Sequence, residues 1–229
     1  MNTANLSNRS GIRILSLLVA LTVLLCSCVS KKKDLTHDEK VTRFRDENPS
    51  LEIGQTVFIG DSITEHYKLK RYYRNTDPKC YNRGISGDTT DWMIARLQTS
   101  LFDIYPAKVV LMIGTNDINA GKSADEIAVN YEIILSLFSQ NIPDAEVICV
   151  SIIPQNKKYS DKARENNERI KSTNLKIEAL CQDFGYEYVN LYDHLTDSKG
   201  MLMRRYTHDG LHLSQWGYRV WTDVMKDKI

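Results

Sequence analysis

The stretch Lys108-Val109-Val110-Leu111-Met112-Ile113-Gly114-Thr115-Asn116-Asp117 decides how this chain folds. From Val109 to Ile113 no polar residue interrupts the run, which then stops at a glycine and a short polar segment. Continuous rather than alternating apolarity marks a strand covered on both faces, as in parallel sheets flanked by helices. The same pattern returns on either side. Val57-Phe58-Ile59 ends at Gly60, Glu146 to Ile153 is stopped by Pro154, Tyr188-Val189-Asn190-Leu191 is a further run, and a strand near Cys80-Tyr81-Asn82 completes the set.

Helical periodicities fill the intervals. Ile127, Tyr131, Ile134, Leu135 and Phe138 fall on one helical face, with Ser123 and Glu126 spaced as a capping box at its start. Ile94, Leu97 and Leu101 mark an earlier helix after Asp88, and Ile170, Ile177, Leu180, Cys181 and Phe184 mark a later one ending at Gly185. Ser214 to Lys226 makes a final helix with Tyr218, Trp221 and Met225 on one side. This alternation predicts an α/β fold, a three-layer α/β/α sandwich with a parallel, flavodoxin-like five-stranded sheet, in one domain spanning 51–229. No repeat or low-complexity segment interrupts it.

Composition agrees with that size. The chain has 229 residues, room for one domain or two, and 30 basic against 29 acidic residues, so no charge excess asks for a nucleic-acid partner. With 42% hydrophobic and 26% charged residues, neither disorder nor a many-span membrane protein fits. Five cysteines are an odd number for a disulfide framework, and no pair beyond the first thirty residues is close enough to clamp an ion, so no metal and no cofactor is expected. Cys149 in an apolar run and Cys181 on a helix read as buried free thiols.

The N-terminus is uneven. Ile14 to Leu25 is apolar, Arg9 and Arg13 precede it, and no acidic residue occurs before Asp34, which is a signal-peptide layout. As a helix the run rises about 18 Å, short of a bilayer core of about 30 Å. Leu25-Cys26-Ser27-Cys28 then resembles the bacterial lipobox, with Cys28 as acceptor because Ser27 before it is small, whereas Cys26 would place bulky Leu25 at the cleavage point. The expectation is a lipoprotein-type signal peptide over 1–27, a diacylated Cys28, a polar tether over 28–50 with a short helix, and a body held by its lipid to a membrane of the bacterial cell envelope, on the periplasmic or outer face. An uncleaved signal anchor is the alternative. Cleavage removes Arg9 and Arg13, leaving 28 basic against 29 acidic residues.

In open parallel sheets the carboxyl ends of the strands form the site. Those ends carry Gly60-Asp61-Ser62-Ile63-Thr64, Asn82-Arg83-Gly84-Ile85-Ser86-Gly87-Asp88 and Gly114-Thr115-Asn116-Asp117, and His208-Asp209-Gly210-Leu211-His212 lies near the C-terminus. Together and in this order they resemble the four blocks of the SGNH, or GDSL-type, esterase and lipase superfamily. The likeness runs from about Val57 to Trp221, and the wording Asn82 to Thr90 with Asp209 to Ser214 is most similar to its platelet-activating-factor acetylhydrolase-like and carbohydrate acetylesterase branch. The resemblance implies Ser62 as nucleophile, His212 as base with Asp209 as its partner, and Ser62, Gly84 and Asn116 as the oxyanion donors, without a cofactor.

Physical chemistry gives each residue a reason. A serine hydroxyl needs a base within hydrogen-bond reach, and at a strand-to-helix turn its own N–H is an unpaired donor at the positive helix end; alone, Ser62 would read as a helix cap. Gly84 lets the backbone approach a substrate, although it is equally an ordinary turn glycine, and Gly87 reads as a turn glycine. Asn116 offers an amide donor that a carboxylate lacks, and alone would be an Asx turn, with Asp117 structural in either reading. Asp209 and His212, three apart, would meet within a single helical turn; alone they are a capping carboxylate and a surface histidine. His37, His66, His194 and His208 read as structural or solvated.

The Gly-x-Ser-x-Gly elbow is absent because Thr64 stands two after Ser62, and the glycine spacing of a dinucleotide site is missing too. The expected function is a serine esterase cleaving short acyl esters, acetyl above all, from a small-molecule or glycan alcohol through an acyl-enzyme. Tyr67, Tyr72, Tyr73, Tyr159 and Tyr206 are candidates to stack on sugar rings. The rival readings are a lysophospholipase- or thioesterase-like acylhydrolase and a binding lipoprotein without activity.

Overall fold

The computed structural model describes residues 34–229. Strands β1 (Thr56–Gly60), β2 (Cys80–Gly84), β3 (Lys108–Met112), β4 (Glu146–Val150) and β5 (Glu187–Val189) form one sheet in the order β2-β1-β3-β4-β5, every pairing parallel. This is the predicted flavodoxin-like order, and the chain reverses direction across the sheet between β1 and β3. Register sets Gly60 beside both Gly84 and Met112, so three strands end level on one edge.

The helices are α1 (His37–Glu47), α2 (Ser62–Glu65), α3 (Leu69–Tyr72), α4 (Thr90–Ser100), α5 (Thr115–Ala120), α6 (Ala124–Asn141), α7 (Ala163–Phe184), α8 (Tyr192–Leu195) and α9 (Gln215–Met225). Side chains alternate along a strand, so each strand feeds two cores. Val57, Ile59, Val109 and Leu111 meet Met93 and Leu97 of α4, Ile134 and Phe138 of α6, and Ile170 and Ile177 of α7. Phe58, Val110, Met112 and Ile148 meet Tyr67, Tyr73, Tyr218, Trp221 and Met225 on the opposite face. The capping box forms at Ser123 and Glu126, and α7 ends at left-handed Gly185, both as the sequence predicts. Cys149 and Cys181 are buried free thiols, and Cys80 is free and half-buried.

Two expectations fail. Residues 28–50 were expected as a tether, yet from His37 onward they belong to the compact body, so its boundary moves back from residue 51. Phe44 is buried under the Arg83 guanidinium, 4.3 Å from its ring centroid, Arg83 donates to Asn48 Oδ1 (2.7 Å), Lys40 pairs with Glu65 (2.6 Å) and His37 with Asp88 (2.9 Å). Polar contacts hold this helix, and they leave no apolar stripe to read. Tyr67, Tyr73 and Tyr206 are core residues and not sugar platforms. The Tyr67 hydroxyl bonds Thr222 (2.7 Å) and Tyr73 (3.1 Å) while its ring stacks on Trp221 and Tyr218. Tyr72 is half-buried and Tyr159 exposed. The apolar run Ile14 to Leu25 and Cys28 lie outside the described residues, among which no helix is long and apolar enough to cross a membrane.

Candidate active site

The level strand ends build the site. After β1, Asp61 caps α2 by accepting from the Ile63 N–H (2.9 Å), which makes Ser62 the first helical residue, with no intrahelical acceptor for its own N–H. From 150 positions further on, His212 brings Nε2 within 2.9 Å of Ser62 Oγ. His212 Nδ1 lies 2.6 Å from Asp209 Oδ2.

The expected helical turn between Asp209 and His212 does not form. Residues 207–213 make a tight bend closed by a Thr207–Leu213 bridge, with Gly210 at φ +93°. Asp209 builds this bend itself: Oδ1 accepts from the N–H groups of Leu211 (2.9 Å) and His212 (2.8 Å), leaving Oδ2 for the imidazole. Partial burial alone would raise the Asp209 carboxyl, but the hydrogen bonds from the His212 ring and these N–H groups outweigh it and bring it down to about 2. An ionised Asp209 fixes the proton on Nδ1 and turns the Nε2 lone pair toward Ser62.

On α5, the Asn116 amide donates one hydrogen to the main-chain oxygen of Asp88 (2.8 Å), which orients the group nitrogen-inward and leaves its second hydrogen free. Asp88 is itself fixed from behind by Arg96 (2.6 Å) and His37, and Arg96 also donates to the Gly60 carbonyl (3.0 Å), tying α4 and α1 to the first strand end. Asp117 is structural, as expected, accepting from Thr90 N–H (2.9 Å) and Oγ1 (2.7 Å) and pairing with Lys122.

Gly84 is not the donor that the sequence assigned. Its N–H already donates to Asn82 Oδ1 (2.9 Å), and a Cβ there would overlap the main chain of Glu65, so this glycine serves the close approach of α2 to β2. The free donor on the loop is Gly87, exposed at φ +88°, with an N–H that bonds no acceptor among the described residues and a position just before Asp88. Its signal in the sequence was the Ser86-Gly87 step beside Asp88, which reads as a plain turn until Gly84 is seen to be occupied.

The family model of GDSL-like lipases and acylhydrolases matches residues 58–220. The chain belongs to that family. Among relatives, platelet-activating factor acetylhydrolase IB subunit alpha1 of Bos taurus is 28% identical over 185 residues, covering 80% of this chain and 75% of that protein. A Streptococcus pneumoniae structure named for platelet activating factor is 31% identical with a TM-score of 0.77, covering 93% of this chain and 98% of that one. A GDSL-like lipase from Bacteroides thetaiotaomicron is 26% identical with a TM-score of 0.72, covering 82% and 95%. This GDSL-like acylhydrolase, whose motif reads Gly60-Asp61-Ser62-Ile63, is a carboxylic ester hydrolase.

Two ionisable neighbours shape the field of the GDSL-like centre. Complete burial raises Asp61 to about 7, against the Ile63 hydrogen bond that favours its charged form. His66, grouped by sequence with the structural or solvated histidines, has its ring 5.1 Å from that of His212, and burial followed by the charge of His212 lowers its pKa. His194 and His208 are exposed, and no group of His, Cys, Asp and Glu among the described residues is arranged to hold a metal.

Proposed function

We propose that this esterase removes short acyl groups, acetyl foremost, from a carbohydrate alcohol through an acyl-enzyme. The observation that carries the reading is the continuous Ser62–His212–Asp209 relay, at 2.9 and 2.6 Å. Ser62 Oγ attacks the ester carbonyl as His212 Nε2 takes its proton, and Asp209 stabilises the imidazolium. The oxyanion rests on the N–H groups of Ser62 and Gly87 and on Asn116 Nδ2. Collapse expels the alcohol, which receives the proton from His212. Water then follows the same route, releasing the carboxylic acid and restoring Ser62.

The acetyl preference is supported by the mammalian relatives, named acetylhydrolases. The carbohydrate reading is supported by Trp216, four residues past His212 and 55% exposed, on a groove of about 370 Å3 with Arg71, Tyr72, Gln215 and Arg219. An aromatic face ringed by hydrogen-bonding groups suits a sugar. The same proposal keeps Cys28 as a diacylated anchor in a bacterial envelope, and Cys28→Ser should release the protein from membrane fractions.

Hydrolysis of p-nitrophenyl acetate and of its long-chain homologues by wild type and Ser62→Ala tests the reading. We expect turnover of the acetate and a loss of about a millionfold in the variant. A preference for long chains would favour the lysophospholipase reading, and equal, background rates for both proteins would favour a binding protein.

A further inference from the structure

A second cleft, of about 400 Å3, opens beside the reacting centre, lined by Asn119, Tyr159, Ser160, Lys162, Asn166 and Arg169. Two contacts tie it to the chemistry. Asn119 stands three residues past Asn116 on α5, about 5–6 Å along the same helical face. On the other side Gly210, inside the bend between Asp209 and His212, packs so closely on Tyr159 that a Cβ would overlap its main chain, and its carbonyl accepts from Asn156 N–H (2.8 Å).

The floor is a fixed amide network. Buried Gln155 donates to Asn119 Oδ1 (2.8 Å), Asn166 donates to Gln155 Oε1 (2.9 Å), Arg169 donates to Asn166 Oδ1 (2.7 Å), and Asn119 donates to the Tyr159 oxygen (3.2 Å). Every side-chain carbonyl in this set therefore already accepts. The groups on the cleft with donors to spare are the hydroxyls of Tyr159 and Ser160, the Lys162 ammonium and the Arg169 guanidinium. Neither cation has a carboxylate partner within salt-bridge distance among the described residues. Two cations without a carboxylate partner favour a carboxylate or phosphate, which offers them charge as well as acceptors, over a neutral sugar hydroxyl, which offers acceptors alone.

We propose that this cleft is a second leaving-group subsite of the esterase, apart from the Trp216 groove, and takes an oxyanion carried on the alcohol of the ester. The favoured substrate is then an acyl ester of an acidic alcohol, a uronic acid or a sugar phosphate, with Lys162 and Arg169 on its charged group. This rests on the esterase reading above and narrows its substrate class.

The test has an arm that needs no turnover. Calorimetric titration of the Ser62→Ala protein with inorganic phosphate and with glucuronate at low salt should show binding that Lys162→Gln and Arg169→Gln each weaken about tenfold and Lys162→Arg preserves. In the second arm, kcat/KM is compared for acetylated glucuronate, acetylated glucose 6-phosphate and acetylated glucose. Wild type should favour one of the acidic esters at least about tenfold, which separates carboxylate from phosphate, and Lys162→Gln should erase the preference while Lys157→Gln, outside the cleft, retains it. Equal rates on acidic and neutral esters overturn the proposal, even if phosphate binds, and leave the esterase reading standing. Anion binding without hydrolysis of any ester overturns the esterase reading instead.

Discussion

At Gly84 the main-chain N–H is committed to Asn82 Oδ1, while three residues on Gly87 keeps its N–H free in a left-handed conformation. One glycine therefore serves by its missing side chain, and the proposed mechanism uses the other for its main-chain donor. Gly84→Ala should act on folding, because the new methyl overlaps the Glu65 main chain; overpacking of this kind costs about 1–3 kcal/mol or more, and urea unfolding would register it. Asn116→Ala should act on chemistry, lowering kcat by about 10²- to 10³-fold with the unfolding midpoint nearly unchanged, since the proposed mechanism makes its amide one oxyanion donor. A kcat within a few-fold of wild type would remove Asn116 from that role. Asp209→Asn should cost about 10⁴ in kcat, as loss of the tautomer-fixing carboxylate does in serine proteases, and circular dichroism would show whether the bend that Oδ1 organises survives.

The helix α1 lies wholly before residues 58–220, the span that the family model matches, yet its contacts reach the loop between β2 and α4 at both Ser86 and Asp88. Lys40 pairs with Glu65, whose carboxylate accepts from the Ser86 N–H (2.7 Å) and from the Ser86 hydroxyl, and His37 fixes Asp88, whose carbonyl orients Asn116. His37→Ala with Lys40→Ala should therefore lower kcat on p-nitrophenyl acetate about tenfold with KM little changed, since a small misplacement of catalytic donors costs rate before it costs binding. Unchanged kcat would reduce α1 to a surface brace. This helix also marks where sequence reading stopped. Buried parallel strands announce themselves as unbroken apolar runs, and Asp209 and His212 are close enough in the chain to be paired by spacing. A helix such as α1, with Phe44 as its only buried residue and its hold made of ion pairs, shows no periodicity and reads as a tether. Likewise Tyr67 and Tyr206 sit in polar segments, and only the cores they fill reveal their burial. Which glycine N–H stays free depends on where the Asn82 side chain folds back, which no spacing encodes.

For the molecule as a whole, two carboxyls give stability opposite dependences on pH. Asp209 has its pKa depressed to about 2, so its contribution is present above the ordinary value of 3.8 and is lost as pH falls through about 2. Asp61 is fully buried and raised to about 7, so between its ordinary 3.8 and 7 the native state binds the extra proton, and stability falls as pH rises across that window. At about 1.36 kcal/mol per pKa unit the loss amounts to at most about 4 kcal/mol. Asparagine at position 61 retains an oxygen for the Ile63 N–H that caps α2, and it does not titrate. Urea unfolding of wild type and Asp61→Asn from pH 4 to 8 should thus show wild type losing stability relative to the variant as pH rises, while the opposite contribution of His66, whose pKa is lowered, is common to both. Parallel slopes would mean that Asp61 is already charged in the folded protein, with Arg96 compensating it through the buried field that the two share.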